Sequence, residues 1–398
     1  MSNSTIDIDV LIFGGGVAGL WLLDELRRRG YSVLLAESNA LGHGQTVSCQ
    51  GIIHGGLKYM FDGKLTTAAR IISDMPPIWR QCLQGQRRPD LTGTKILSDC
   101  CYIWGTGSIK SRIFMTGSTI ALRSKPVAVD RPDWPAALKS VPGKVLRVGE
   151  QVIDPVSMTR RLATQNPGRL LHIDPARLEF TRNGDQITRI QLQTLDPRPQ
   201  TLSFSATTII LTAGEGNATL RERAGLSSSV MQRRPLHMTV LRGNLPSLFG
   251  HCVGGLRPRI TVTTCTSSAG QTIWLIGGQI AEDGVTMDPP QLMAHGKQEL
   301  LTCLPGLDLT GAEFSTYRVD RAEPATVSGH KPDDVHVIQD GNLLTAWPIK
   351  LVLAPRLTDR LLNILPRPQT PDPGPEFAFC PPPNACPPWE HAQWHIVP

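Results

Sequence analysis

The sequence predicts an α/β protein, and three observations predict it. Residues 9–38 read as strand, glycine-rich turn, amphipathic helix and strand. Aromatic residues make up only 5% of the 398, against 37 glycines and 33 prolines, a loop-rich composition foreign to a helical bundle. Strand-like runs recur later: "TKILSDCCYIW", "PLHMTVLRG", "RITVTT" and "TIWLIGGQI". Hydrophobic residues reach 40%, enough for a sizeable core, and the length suits two domains or one large composite domain.

The first element is the most informative. In "DVLIFGGGVAGLWLLDELRRRGYSVLLAES" an apolar strand, Val10 to Phe13, runs into Gly14, Gly16 and Gly19. A helix follows with Val17, Leu20, Leu23 and Leu26 on one face, and Gly30 ends it. A second strand, Ser32 to Ala36, stops at Glu37 and Ser38. Each part has a task in a Rossmann-like unit. Gly14 makes the tight turn, Gly16 admits a pyrophosphate to the backbone, and Gly19 packs helix against strand. The helix N-terminus at Val17 and Ala18 offers N–H groups to phosphate. Glu37 accepts hydrogen bonds from a ribose diol and repels a 2′-phosphate.

Three later segments point to FAD rather than NAD. "LGHGQTVSCQGIIHGG" supplies small and polar residues (Gln45, Thr46, Ser48, Gln50, Gly51) suited to wrapping a pyrophosphate and a ribityl chain. "ATTIILTAGEGN" is a buried strand ending in Ala213 and Gly214, as expected at the carboxyl edge of an open sheet. "NLLTAWPIKLVLAPRLTDRLLNIL" reads as strand, irregular turn and helix, with Ile349, Lys350 and Leu351 in the turn. Leu178, in the alternating stretch "LLHIDPARLEFTRNGDQITRIQLQT", joins the expected cofactor contacts, and a hairpin turn is expected at Asn183-Gly184. "IDPVSMTRRLA" predicts a helix capped by Asp154 with Pro155 in its first turn.

With these segments assembled, the chain resembles the FAD-dependent D-amino-acid oxidase superfamily, which includes glycine oxidase and glycerol-3-phosphate dehydrogenase. "IHGGLKY" is similar to the "IHGGLRY" of the flavin-dependent glycerol-3-phosphate dehydrogenases. "LLTAWPIKLVLAPRLTDRLL" resembles their strand–"GGKLTTYR"–helix segment, with Lys350 at the lysine. "PLHMTVLRG" and "YRVDRAEPATVSG" place His237 and Arg321 near a substrate-domain histidine and arginine. The resemblance implies a discontinuous Rossmann-like FAD-binding domain (1–75, 145–225 and 326–365) and an antiparallel-sheet substrate domain (76–144 and 226–325). Residues 366–398 are left as a Pro-rich tail, extended or disordered unless Trp389 and Trp394 hold it against the body. Lys58 replaces the family arginine, "WPIKLV" replaces the glycine pair and the residues that follow it, and the extra C-terminal domain of many dehydrogenases is not expected.

The expected activity is oxidation of a small anionic substrate, such as a polyol phosphate, 2-hydroxy acid or amino acid, by hydride transfer to flavin. His54 and His237 are candidate bases, because imidazole titrates near neutral pH. Lys58, Arg321 and Lys350 are candidate anion binders. Each has a plainer reading: His54 bonding backbone in a tight turn, His237 a structural strand histidine, Arg321 an ion pair with Glu323. The alternative function is a flavoprotein subunit, or a carrier-dependent flavoenzyme with no small-molecule substrate of its own. Oxygen, a quinone and a protein all stand open as electron acceptors.

The formal net charge of +6 is scattered, densest at Arg27–Arg29, so a mild field for an anion is expected rather than a nucleic-acid face. The polar N-terminus does not read as a signal peptide, and no run is long enough to span a bilayer. A cytoplasmic protein is expected, with peripheral membrane contact left open. Nine irregularly spaced cysteines without a Cys-x-x-Cys pair suggest reduced thiols and no metal.

Overall fold

The computed structural model describes residues 5–55, 71–108, 126–254, 257–327, 329, 332–370 and 379–398. The chain opens with β1 (Thr5–Phe13), α1 (Val17–Arg28) and β2 (Val33–Glu37). Leu20, Leu22, Leu23 and Leu26 of α1 are fully buried, each contributing roughly 1.5–3 kcal/mol. The helix stops in a Schellman motif. Gly30 takes φ 83 and donates to Arg27 O, and Tyr31 donates to Leu26 O. Next comes α2 (Met75–Leu83), whose Trp79 packs against Trp21 with ring centroids 4.8 Å apart and tilted by 55°, and donates from Nε1 to Val352 O. It therefore packs into the core of the first sheet, which the expected division at 75/76 does not follow.

The chain then makes a first excursion through β3 (Ile96–Ser98), β4 (Cys101–Gly105), β5 (Val127–Val129) and β6 (Val145–Val148). It returns through β7 (Val152–Ile153), α3 (Pro155–Thr164), β8 (Leu170–His172), β9 (Glu179–Asn183), β10 (Gln186–Gln193), β11 (Thr201–Leu211) and α4 (Gly216–Arg223). Asp154 caps α3 by accepting from the N–H groups of Val156 and Ser157, with Pro155 in the first turn. Gly184 takes φ 62 in the β9–β10 turn. The second excursion is β12 (Met231–Arg242), β13 (Gly250–Val253), β14 (Pro258–Thr266), β15 (Thr272–Gly277), α5 (Gln279–Asp283), α6 (Pro289–Cys303) and β16 (Glu313–Pro324). The chain closes with β17 (His336–Asp340), β18 (Leu343–Trp347), α7 (Ala354–Leu362) and β19 (His395–Ile396).

Among the described residues these strands form two large sheets and one two-stranded ladder, β3–β7. The first large sheet runs β17-β18-β11-β1-β2-β8, with β10 and β9 beside the early half of β11. Strands β18, β11, β1, β2 and β8 are mutually parallel, and the central ones are buried on both faces, hence their unbroken apolar sequences. The second is nine-stranded, β19-β16-β12-β15-β14-β13-β4-β6-β5, antiparallel except at β13–β4. β6 belongs here, although residues 145–148 were expected in the first unit. The chain is therefore α/β, with a Rossmann-like parallel sheet facing an antiparallel one. No helix among the described residues is long and apolar enough to cross a membrane.

Candidate functional site

The carboxyl ends of β1, β2, β11 and β18 open into a cavity of about 1110 Å³, roofed by the antiparallel sheet. That is just above the usual range for small-molecule sites, about 300–1,000 Å³. It lies beside the point where the chain leaves β1 for β2 on one side and β11 on the other, the usual ligand crevice of an open α/β sheet.

The glycine turn makes one wall. Gly14 takes φ 108, and a Cβ there would sit 2.5 Å from the Ala213 Cα. A Cβ on Gly19 would fall 2.0 Å from the Gly14 carbonyl, so Gly19 packs α1 on the turn. Gly16 is extended and precedes α1, whose first turn carries no acidic side chain. A Cβ on Gly16 would meet only the Thr46 hydroxyl, which also accepts from the Val17 N–H. Glu37 accepts from the N–H groups of Gly15 and Asn39. Gly14, Gly16, Val17, Ala18, Glu37 and Ser38 all face the cavity, whereas Gly19 lies behind it.

The following loop is sewn to the opposite sheet. Gln45 accepts from the Ala322 N–H, Tyr317 donates to Ser48 O, and Gln50 donates to Thr261 O and Leu275 O. Gly51 has φ 69, and its Cβ would lie 2.0 Å from Ile153 O. The close approach that requires this glycine is therefore to backbone beside β7. Residues 51–53 dock along 151–153 by two backbone hydrogen bonds and one antiparallel bridge. Gln45, Thr46, Ser48, Gln50 and Gly51 still line the cavity, as do Leu178, Ala213 and Gly214.

That docking brings His54 beside Glu150. Glu150 is 4% exposed; its Oε1 accepts from the Gly55 N–H at 2.6 Å. Its Oε2 lies 3.4 Å from His54 Nδ1 and 3.5 Å from Nε2 of His251, on β13. His251 Nδ1 pairs with the Thr261 hydroxyl of β14 at 3.0 Å. Burial opposes ionisation of Glu150, but the two imidazoles outweigh it and hold the carboxyl well below its usual range. Burial lowers the His54 pKa, against the pull of Glu150. Neither Glu150 nor His251 was singled out from sequence. The signals were a lone acid inside the apolar run "VLRVGEQVI" and a histidine in "FGHCVGG".

From the other side comes the turn after β18. Lys350 N–H donates to Pro348 O at 2.7 Å, closing a three-residue turn around Ile349. Ile349 has φ 54 and is the only non-glycine residue with positive φ among those described. A β-branched side chain there is strained, a feature that clusters at functional sites. Ile349, Lys350 and Leu351 line the cavity, and the Lys350 charge contributes to lowering the His54 pKa.

Arg321 also reaches the cavity but is engaged. Its Nη1 is 3.4 Å from Glu282 Oε1 and its Nε donates to Arg234 O; Glu323 pairs with Arg234 instead. Burial lowers the Arg321 pKa. His237 does not reach the cavity, which corrects the expectation that it is a candidate base. On β12, Leu236 and Met238 face the cavity, so His237 points the other way. There it is buried, 3.0 Å from Gly284 O and 2.9 Å from the Thr316 hydroxyl. Lys58 falls in 56–70, outside the described residues.

Residues 379–398 close one rim. Leu41 exchanges backbone hydrogen bonds with Pro383 and Ala385 beside β2, and β19 pairs with β16 in the other sheet. Trp389 is buried against Tyr317, the Arg242 guanidinium lies 4.7 Å over Trp394, and Cys386 and Pro388 line the cavity. This part of the tail is extended and docked across both sheets.

Residues 9–344 match the family model "DAO: FAD dependent oxidoreductase". The chain belongs to this family. It is 41% identical over 395 residues to the probable FAD-dependent oxidoreductase PA4991 of Pseudomonas aeruginosa, covering 94% of this chain and 99% of that one. The crystal structure of PA4991 aligns with a TM-score of 0.82 at 38% identity, over 97% of this chain and 98% of that one. Glycine oxidase from Geobacillus kaustophilus aligns at TM-score 0.61 and 15% identity, over 94% and 97%. L-α-glycerophosphate oxidase from Mycoplasma pneumoniae, with FAD bound, aligns at 0.59 and 16%, over 93% and 98%. At such identities the last two establish a shared fold.

This family enzyme is therefore an FAD-dependent oxidoreductase. Its residues fit the cofactor: a glycine cradle that any Cβ at Gly14 or Gly19 would close, a helix N-terminus without acidic side chains, and a carboxylate at the end of β2.

Proposed function

We propose that the chain oxidises a small anionic substrate, such as a 2-hydroxy acid, an amino acid or a polyol phosphate. The observation that carries this reading is one continuous cavity with two unlike ends. The glycine cradle lines one part of it; His54, with Glu150 and His251 beside it, and Lys350 and Arg321 line the rest. Bound FAD supplies a two-electron acceptor for the substrate's hydride. Gly14, Gly16, Val17 and Glu37 hold its pyrophosphate and ribose, and the 45–51 loop and the 349–351 turn hold the rest. Lys350 draws the anion in, aided by Arg321 at the wall. The lone pairs of the His54–Glu150–His251 group favour loss of the proton from the substrate's hydroxyl or amine. Met238 and Leu236 exclude water from the β12 side.

The test is spectroscopic. Flavin-loaded protein is mixed anaerobically with glycerol 3-phosphate and a panel of 2-hydroxy and amino acids. Bleaching of the visible flavin bands by one compound is expected. Flavin that no small anion bleaches would overturn the proposal.

A further inference from the structure

The His54–Glu150–His251 group contains an arrangement that hydrogen bonding alone does not explain. Their ligand atoms all lie within 4.8 Å of one another. Glu150 Oε2 is buried and accepts no hydrogen bond. Its distances to the two imidazole nitrogens, 3.4 and 3.5 Å, exceed the roughly 2.7–2.9 Å of a charge-assisted hydrogen bond. They match the separation of two ligands on one tetrahedral ion, about 3.4 Å for bonds of about 2.0–2.1 Å.

The surroundings have the form of a metal's outer shell. Oε1 is fixed by the Gly55 N–H, which aims Oε2 at the two rings. Nδ1 of His251 faces the Thr261 hydroxyl. A histidine that donates from one ring nitrogen presents the other as a lone pair, the usual arrangement of a metal-ligating imidazole. With its proton on Nδ1, His251 turns the Nε2 lone pair toward the Glu150 carboxylate 3.5 Å away, an arrangement that a cation between the two would satisfy. His54, at the cavity wall, leaves the remaining coordination positions open toward the substrate end.

We infer that His54, Glu150 and His251 bind one divalent cation of the zinc class, open to substrate on the cavity side. Two imidazoles and one carboxylate form a donor set suited to zinc and poorly suited to magnesium, which favours oxygen ligands. This deepens the function proposed above, on which its substrate part rests. A 2-hydroxy acid would chelate such an ion through its adjacent carboxylate and hydroxyl oxygens; the ion acidifies the hydroxyl, whose proton leaves to solvent as the hydride passes to the bound flavin. It therefore favours 2-hydroxy acids over polyol phosphates.

The experiment needs no turnover. Tag-free, flavin-loaded protein is stripped with a chelator, dialysed, and titrated calorimetrically with Zn²⁺ alone and with Mg²⁺ alone. One equivalent of Zn²⁺ per chain and no response to Mg²⁺ are expected. Glu150→Gln and His251→Asn should each weaken Zn²⁺ binding about 100-fold, and Thr261→Val about 10-fold, since outer partners alone are worth roughly 10–100-fold. The flavin spectrum and thermal midpoint report that each variant is folded. Zn²⁺ that fails to bind the folded wild type, or that binds Glu150→Gln and His251→Asn equally well, overturns the inference. Zn²⁺ binding with no substrate that bleaches the flavin would sink the oxidation proposal and leave the metal site standing. Bleaching without Zn²⁺ binding would do the reverse.

Discussion

At the cradle end of the cavity, Gly14 and Gly16 lie in the turn between β1 and α1, Gly19 lies in the first turn of α1, and Glu37 follows on the next strand. At the other end, His54 comes from the loop after β2, Glu150 from the link between β6 and β7, and His251 from β13. The cradle acts through backbone and the absence of side chains. The substrate end acts through three side chains that long-range packing brings together. The first is therefore intolerant of added volume, and the second of lost polarity.

The largest expected effect breaks the cradle. Gly19→Val pushes carbon into the Gly14 carbonyl, and the variant should purify without flavin and lose about 3 kcal/mol, read by denaturant unfolding. A variant that still copurifies with full flavin would remove Gly19's packing role. Next, Glu150→Gln should keep its flavin spectrum while turnover of whichever substrate bleaches the wild type drops about 100-fold. An uncharged amide neither steadies His54 nor complements His251, and it removes the charge from the bond that Gly55 N–H gives the carboxylate, a class worth about 1.5–3 kcal/mol. Unchanged kinetics would show that the two ends are not as unlike as described.

His237→Phe sharpens the contrast from outside the cavity. It leaves the Thr316 hydroxyl without its His237 partner and Gly284 O with the Met287 N–H alone, so a loss of about 1–3 kcal/mol is expected, with turnover within about twofold of wild type. A selective fall in kcat at unchanged stability would return His237 to the active site. The smallest effect belongs to Glu37→Gln, where FAD binding should weaken about 10-fold, near 1.4 kcal/mol, without a change in kcat. Fluorescence titration of the stripped protein measures it.

What could be read from the sequence follows the same division. The strand–turn–helix of residues 9–38 is local, so its glycine spacing and apolar periodicity carried both its shape and its position. The same holds for the Asp154 cap and the turn after β18. Glu150 and His251 are meaningful only through contacts such as that of Gly55 with Glu150, 95 residues apart, and no local pattern encodes them. His237 was misplaced by a single position: strand side chains alternate, and only the assembled sheet shows that Leu236 and Met238 take the cavity face. Proline content gave the tail its extended backbone, but burial of Trp389 and pairing with β16 decided where it lies.

β1 cannot acquire its sheet neighbours from adjacent sequence alone. It lies between β2 (Val33–Glu37) and β11 (Thr201–Leu211), and β18 (Leu343–Trp347) then joins β11. Closing such wide loops precedes any reward from the parallel ladders, which slows folding and leaves strand edges exposed meanwhile. The cofactor cavity forms at the ends of these same strands, so its ligand meets surfaces that come together late. FAD then acts as a thermodynamic clasp: by binding only the assembled state, it draws the slow search toward completion by mass action.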